Sequence, residues 1–209
     1  MSDFNPEDLT KERNLFDIYR QLRLMQAGFF NNLCTFLVCV LLILYSFYTS
    51  ESSHELADKV RSLSEFGLNF AASILGFLIA GFTIFFTISK TDLFLALAKT
   101  EHRASKLSWL KYSFFAFMEI FIIYIAFLFL CVLVKIFAAP HGVITIFLSN
   151  FPNQIEKTKK IIASIGMIVI GTWFVYLIIV LKSFIFNVYH IAMTSIRWEW
   201  ETENKKPHG

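Results

Sequence analysis

The sequence predicts an all-α, polytopic membrane protein with four transmembrane helices and helical cytoplasmic extensions. Composition is the first reason. Of 209 residues, 56% are apolar, 17% are charged and 25 are phenylalanine, whereas a soluble domain carries about a quarter of its residues as charges. The second reason is length: four apolar runs, at about 28–48, 68–88, 114–137 and 161–181, each match the ~20 residues a helix needs to cross a bilayer. The third is the distribution of Lys and Arg, which falls heavily on alternate connections.

In chain order, residues 1–27 predict a cytoplasmic amphipathic helix. Asn5, Pro6, Glu7 and Asp8 form a helix-start pattern, and Leu15, Tyr19, Leu22 and Met25 then recur at helical spacing. The first span follows directly, is of full length, and reads as a retained span rather than a signal peptide. In the polar connection after it, Ser52 and Glu55 match a capping box, so a helix should run from there into the second span.

The second span, FGLNFAASILGFLIAGFTIFFTISK, orders its small residues. Ala72, Gly76 and Ala80 recur every four positions, with Gly81 beside them, and predict a face for close helix packing. Residues 89–113 predict an amphipathic connector helix in which Leu93, Leu97 and Ala104 oppose Lys99, His102, Arg103 and Lys106. After the third span, Pro140 and Gly142 break the chain. The apolar run VITIFL is too short to cross and should dip into the interface or cover the bundle end. Residues 28–181 thus form the four-helix bundle. Residues 182–209 continue the fourth helix as a cytoplasmic extension and tail, carrying Arg197, Trp198 and Trp200 as a partner-binding knob.

Orientation follows from charge. Thirteen Lys and Arg fall before the first span, between spans two and three, and after span four; six fall on the other two connections. The positive-inside bias places both termini and the second connection in the cytoplasm. Lys99, Arg103 and Lys106 then join Arg197, Trp198 and Trp200 as partner-binding candidates on that side.

Chemistry is sparse. Glu119 is the one acid within a span, and an intramembrane carboxylate marks a functional site by default. With Asn31, Asn32, Thr83 and Thr87 at matching depth it forms an intramembrane polar cluster, read either as a clasp between helices or as the lining of a pore. Cys34, Cys39 and Cys131 lie in apolar runs without zinc-ligand spacing. The five histidines, His54, His102, His141, His190 and His208, fall in separate regions and form no HxxxH pair. No catalytic residue, metal site or cofactor is expected, nor direct nucleic-acid binding at a net charge of +3.

Four spans, a short outside helix, an inside amphipathic connector and the ILGFLIAGFTIFFTI second span resemble the small four-helix membrane proteins of bacterial anti-phage systems, the KwaA family of the Kiwa system among them. The resemblance covers the layout of the whole chain and implies a bacterial inner-membrane protein that senses infection with a soluble cytoplasmic companion. It assigns no residue roles. The sequence therefore predicts a non-enzymatic, homo-oligomeric sensor or anchor that contacts the lipid bilayer and recruits a cytoplasmic effector; the alternative is an ion channel or pore that depolarises the membrane.

Overall fold

The computed structural model describes residues 11–12, 14–22, 29–88, 91–102, 107–139, 142–143, 146 and 155–204. Among these it is all-helical, with no strand. The helices are α1 (Leu15–Leu22), α2 (Phe29–Tyr48), α3 (Ser53–Ile88), α4 (Thr91–Lys99), α5 (Trp109–Phe137) and α6 (Ile155–Glu203). Four of them, α2, α3, α5 and α6, are long and apolar enough to cross a membrane.

Local chemistry explains the ends. The capping box forms as the sequence predicts: Ser52 N–H donates to Glu55 Oε2 (2.9 Å) and Glu55 N–H to Ser52 Oγ (3.3 Å), and α3 then runs unbroken for 36 residues. The amphipathic helix over 1–27 is shorter where it is described. Lys11 and Glu12 are not helical, and Asn14 Oδ1 caps α1 by accepting from Asp17 N–H (2.8 Å). The start expected at Asn5 lies outside the described residues.

The connector helix also stops early. Thr100 Oγ1 donates back to the carbonyl of Ala96 (2.9 Å), and an isolated antiparallel bridge joins Glu101 to Ser108. His102 N–H reaches Leu107 O (2.7 Å) and Trp109 N–H reaches Thr100 O (2.9 Å), so the chain turns back instead of continuing as helix. Of the VITIFL run, Val143 and Ile146 are described and exposed, with a helical bond from Ile146 N–H to Gly142 O (3.1 Å).

The chain divides into two compact units, and α3, α5 and α6 contribute residues to both. In the unit of residues 27–76 and 123–180, glycines and aromatics set the packing. A Cβ on Gly67 would lie 2.9 Å from the Phe127 ring, and one on Gly171 would lie 2.8 Å from Leu42 Cδ1. Phe174 packs edge-on against Phe70 (5.2 Å) and Phe66 (5.5 Å). Tyr124, fully buried, donates its hydroxyl to the Leu177 carbonyl at 3.1 Å, so its polar tip is satisfied within the apolar core.

The unit of residues 1–26, 77–122 and 181–209 is built on phenylalanine. Phe82 meets Phe86, Phe114, Phe117 and Phe121, and Phe117 meets Phe184 edge-on at 5.4 Å. Phe86 stacks on Phe114 at 5.0 Å. Part of the Phe excess is therefore core, while Phe36, Phe47 and Phe186 stay exposed. Glu12 Oε1 lies 2.7 Å from Lys111 Nζ, both side chains being nearly buried, at an angle outside hydrogen-bond geometry. This ion pair pins the segment before α1 to the start of α5.

The glycine contacts give a direct test. Gly67→Ala should lower the melting temperature in detergent, at a cost of about 1–3 kcal/mol, because the fully buried Phe127 ring has little room to move. Gly76→Ala, which meets nothing within 4 Å, should be neutral or stabilising by up to about 1 kcal/mol through helix propensity. Equal melting of the two variants would remove Gly67 from the packing argument.

Candidate functional site

The residues α6 carries beyond Lys182 form the most distinctive surface. Phe184, buried, anchors one face of this segment against Phe117. About half a turn away, Ile185, Tyr189, Met193, Ile196 and Trp200 are all exposed, Ile196 at 61% and Trp200 at 67%. Their spacing of four, four, three and four keeps them in one stripe of the helix. Arg197 flanks it, its Nε donating to Glu201 Oε1 at 2.7 Å.

Sequence reasoning picked out Trp200 and Arg197 but missed the stripe they belong to. The signal was present, but apolar residues occupy two opposite faces here. Phe184, Val188 and Ile191 alternate with Ile185, Tyr189 and Met193, and the two faces cancel in any single measure of amphipathicity. Trp198 is half-buried and Lys99 is exposed; Arg103 and Lys106 lie outside the described residues.

The polar residues of the long apolar helices are occupied differently. Thr83 Oγ1 donates to Ile79 O and Thr87 Oγ1 to Thr83 O, each at 2.9 Å, so both hydroxyls are spent on their own helix. Asn31 is half-buried, and its main-chain carbonyl accepts from Thr35 Oγ1 (2.8 Å); Asn32 is exposed. Both Asn residues belong to the other compact unit from Glu119, Thr83 and Thr87. Glu119 is half-buried and makes no hydrogen bond or ion pair among the described residues.

The small-residue positions Ala72, Gly76 and Ala80 are exposed, and Gly81 is half-exposed. A Cβ on Gly76 or Gly81 would meet nothing within 4 Å. Among the described residues the stripe is therefore an open face, with the close approaches made at Gly67, Gly166 and Gly171 instead.

A polar rim closes the α2–α3 end of the other unit. Glu51 Oε1 accepts from Tyr45 Oη (3.0 Å) and pairs with Lys59, whose Nζ also donates to Tyr45 Oη (3.0 Å). Ser53 Oγ donates to Glu156 Oε2 at 2.6 Å across 103 residues of sequence, and Lys160 Nζ reaches Thr49 O at 3.2 Å. No group of three metal-ligating side chains gathers among the described residues.

The Lys59 ammonium, then the Tyr45 hydroxyl, hold the Glu51 carboxyl below its ordinary value of 4.5. The folded pKa is thus below the unfolded one. The stabilisation is present above the usual carboxylate range and is lost as pH falls through the folded value. Glu51→Gln should lower the melting temperature at about pH 7, and the difference from the parent protein should close as pH falls from 4.5 through the folded value. A gap that persists in acid would show that the pair is not what Glu51 contributes. Compared with protein-family models, with curated proteins and with solved structures, the chain matches none.

Proposed function

We propose that this chain is a non-enzymatic, oligomeric sensor or anchor of the bacterial inner membrane that recruits a cytoplasmic effector. The observation that carries the reading is the exposed apolar stripe along α6 from Ile185 to Trp200. A soluble surface rarely leaves a continuous stripe of this kind uncovered without a partner for it. The Lys and Arg bias puts that stripe on the cytoplasmic side with both termini. The open small-residue face of α3 supports contact between copies of the chain, since none of the described residues covers Gly76. The anti-phage setting comes from the resemblance in layout to KwaA-type proteins.

A second reading, a pore that depolarises the membrane, is favoured by one observation. Glu119 sits half-buried in α5 with no partner among the described residues. A carboxylate left so within a span is a candidate for lining a water-filled path in an oligomer.

Orientation is tested by labelling. In intact cells of a cysteine-free background, a thiol at Ser53 should react with an impermeant reagent and one at Lys99 should not; labelling at Lys99 would reverse the topology.

The recruitment reading is tested on the same membranes. Ile196→Glu should abolish co-purification of the cytoplasmic effector while leaving melting in detergent unchanged, because Ile196 is exposed and supports no core. Gly76→Leu should reduce the oligomer seen by mass photometry without unfolding the protomer. An effector still bound by the Ile196→Glu protein would overturn the reading. Conductance by the purified protein in planar bilayers, abolished by Glu119→Gln, would establish the pore instead.

A further inference from the structure

In the unit that contains the polar rim, α3, α5 and α6 leave a pocket of about 470 Å³ between them. That is within the roughly 300–1,000 Å³ of pockets that hold small molecules. Small side chains line it: Ala57 on α3 and Ala163 on α6 take little of the space, while Gly166 lets α6 come close to Val60. Val60, Leu133, Phe137 and Ile162 make the remaining wall apolar. The wall suits a hydrocarbon chain.

The rim suits a charged head. Arg61 is held in place, its Nε donating to the Ala138 carbonyl at 2.6 Å and its Nη1 to Asp58 Oδ1 at 2.5 Å. Asp58 is engaged on its other oxygen by His54 Nδ1 at 2.9 Å. A guanidinium has five N–H groups, so Arg61 keeps three donors in a fixed fork, the geometry that grips phosphate oxygens. Lys159 Nζ lies 3.8 Å from Glu156 Oε1, too far for a hydrogen bond, and its ammonium can turn to an anion. Glu156 keeps Oε1 open, since Ser53 donates to Oε2. The rim thus holds two cations and two carboxylates above an apolar chamber, Asp58 engaged with Arg61 and Glu156 facing Lys159.

We propose that this pocket binds one phospholipid with a primary-amine headgroup. One acyl chain lies along the apolar wall, the phosphate sits on Arg61 and Lys159, and the ammonium sits on Glu156. This inference rests on the membrane-spanning reading alone and is independent of effector recruitment.

Native mass spectrometry of the full chain in detergent tests it, with phosphatidylethanolamine and phosphatidylglycerol added separately. The parent protein should retain one phosphatidylethanolamine per chain, in preference to phosphatidylglycerol. Lys159→Gln should weaken that binding about tenfold through loss of a charge-assisted contact. Lys157→Gln, an equal change of charge at an exposed position outside the pocket, should leave it unchanged. Ala57→Phe and, as an independent filling of the chamber, Leu133→Phe should each displace the lipid without lowering the melting temperature. Equal lipid retention by either melting-neutral filled variant and the parent would overturn the site in favour of unspecific boundary lipid. So would equal effects of Lys157→Gln and Lys159→Gln, equal or tighter binding of phosphatidylglycerol, or competition by glycerophosphoethanolamine as effective as that of the intact lipid.

Discussion

A hydrocarbon core offers no partner to a backbone N–H or C=O, and the four helices long and apolar enough to cross one meet that constraint by bonding within themselves. It leaves helices as the economical solution for four apolar segments, and it governs the polar side chains those helices carry. Thr35, Ser64, Ser73, Thr83 and Thr87 all donate their hydroxyls to the carbonyl four residues earlier in their own helix. Each hydroxyl is thereby satisfied without a neighbour. Glu119 makes no such bond among the described residues; as an ionised carboxylate it could only accept, and the helix around it has no free N–H to give. A threonine is thus self-sufficient in a helix, whereas a glutamate matches it only when protonated, as a carboxyl O–H donor.

The same constraint removes the cue that usually marks a buried face. Apolar residues suit lipid and protein interior alike, so polarity does not distinguish the two sides of α3. The core side runs through Leu56, Val60, Ser64, Ala71 and Leu78, all buried, with Gly67 pressed on Phe127. Ala72, Gly76 and Ala80 lie on the opposite side and touch little. In the sequence both faces hold small residues, and the regular one is the more conspicuous. What separates them is the large partner opposite, and that partner is on a distant helix.

Features set by neighbouring residues were legible, and features set by distant ones were not. The Ser52–Glu55 capping box, the four apolar helices and the persistence of α6 past Lys182 could all be read from the chain, because each depends on a few adjacent positions. The return of the chain at Glu101–Ser108 could not, because it competes with a plausible helix pattern through Leu93 and Leu97. The rim and its pocket were also hidden. Ser53 meets Glu156 and Arg61 meets Ala138, and separations of 103 and 77 residues leave no trace in spacing.

Depth decides how much weight each open face can bear. A helix of 49 residues is about 73 Å long at 1.5 Å per residue, against a hydrocarbon core of roughly 30 Å. A span at 161–181 would put Trp200 roughly 28 Å beyond its end at helical rise. An uncovered small-residue face within a span costs nothing in lipid, so Gly76 and its neighbours are compatible with contact or with none. Phe184 packs on Phe117, so Ile185 and Tyr189 lie close to the level where α5 begins its apolar run, whereas Met193, Ile196 and Trp200 lie beyond it and have no such refuge. A large apolar side chain left fully in water forgoes about 1.5–3 kcal/mol of burial; Met193, Ile196 and Trp200 forgo part of that each, and three in one line make covering the stripe the favourable state. For that reason the extension of α6, rather than the intramembrane polar residues, carries the functional reading.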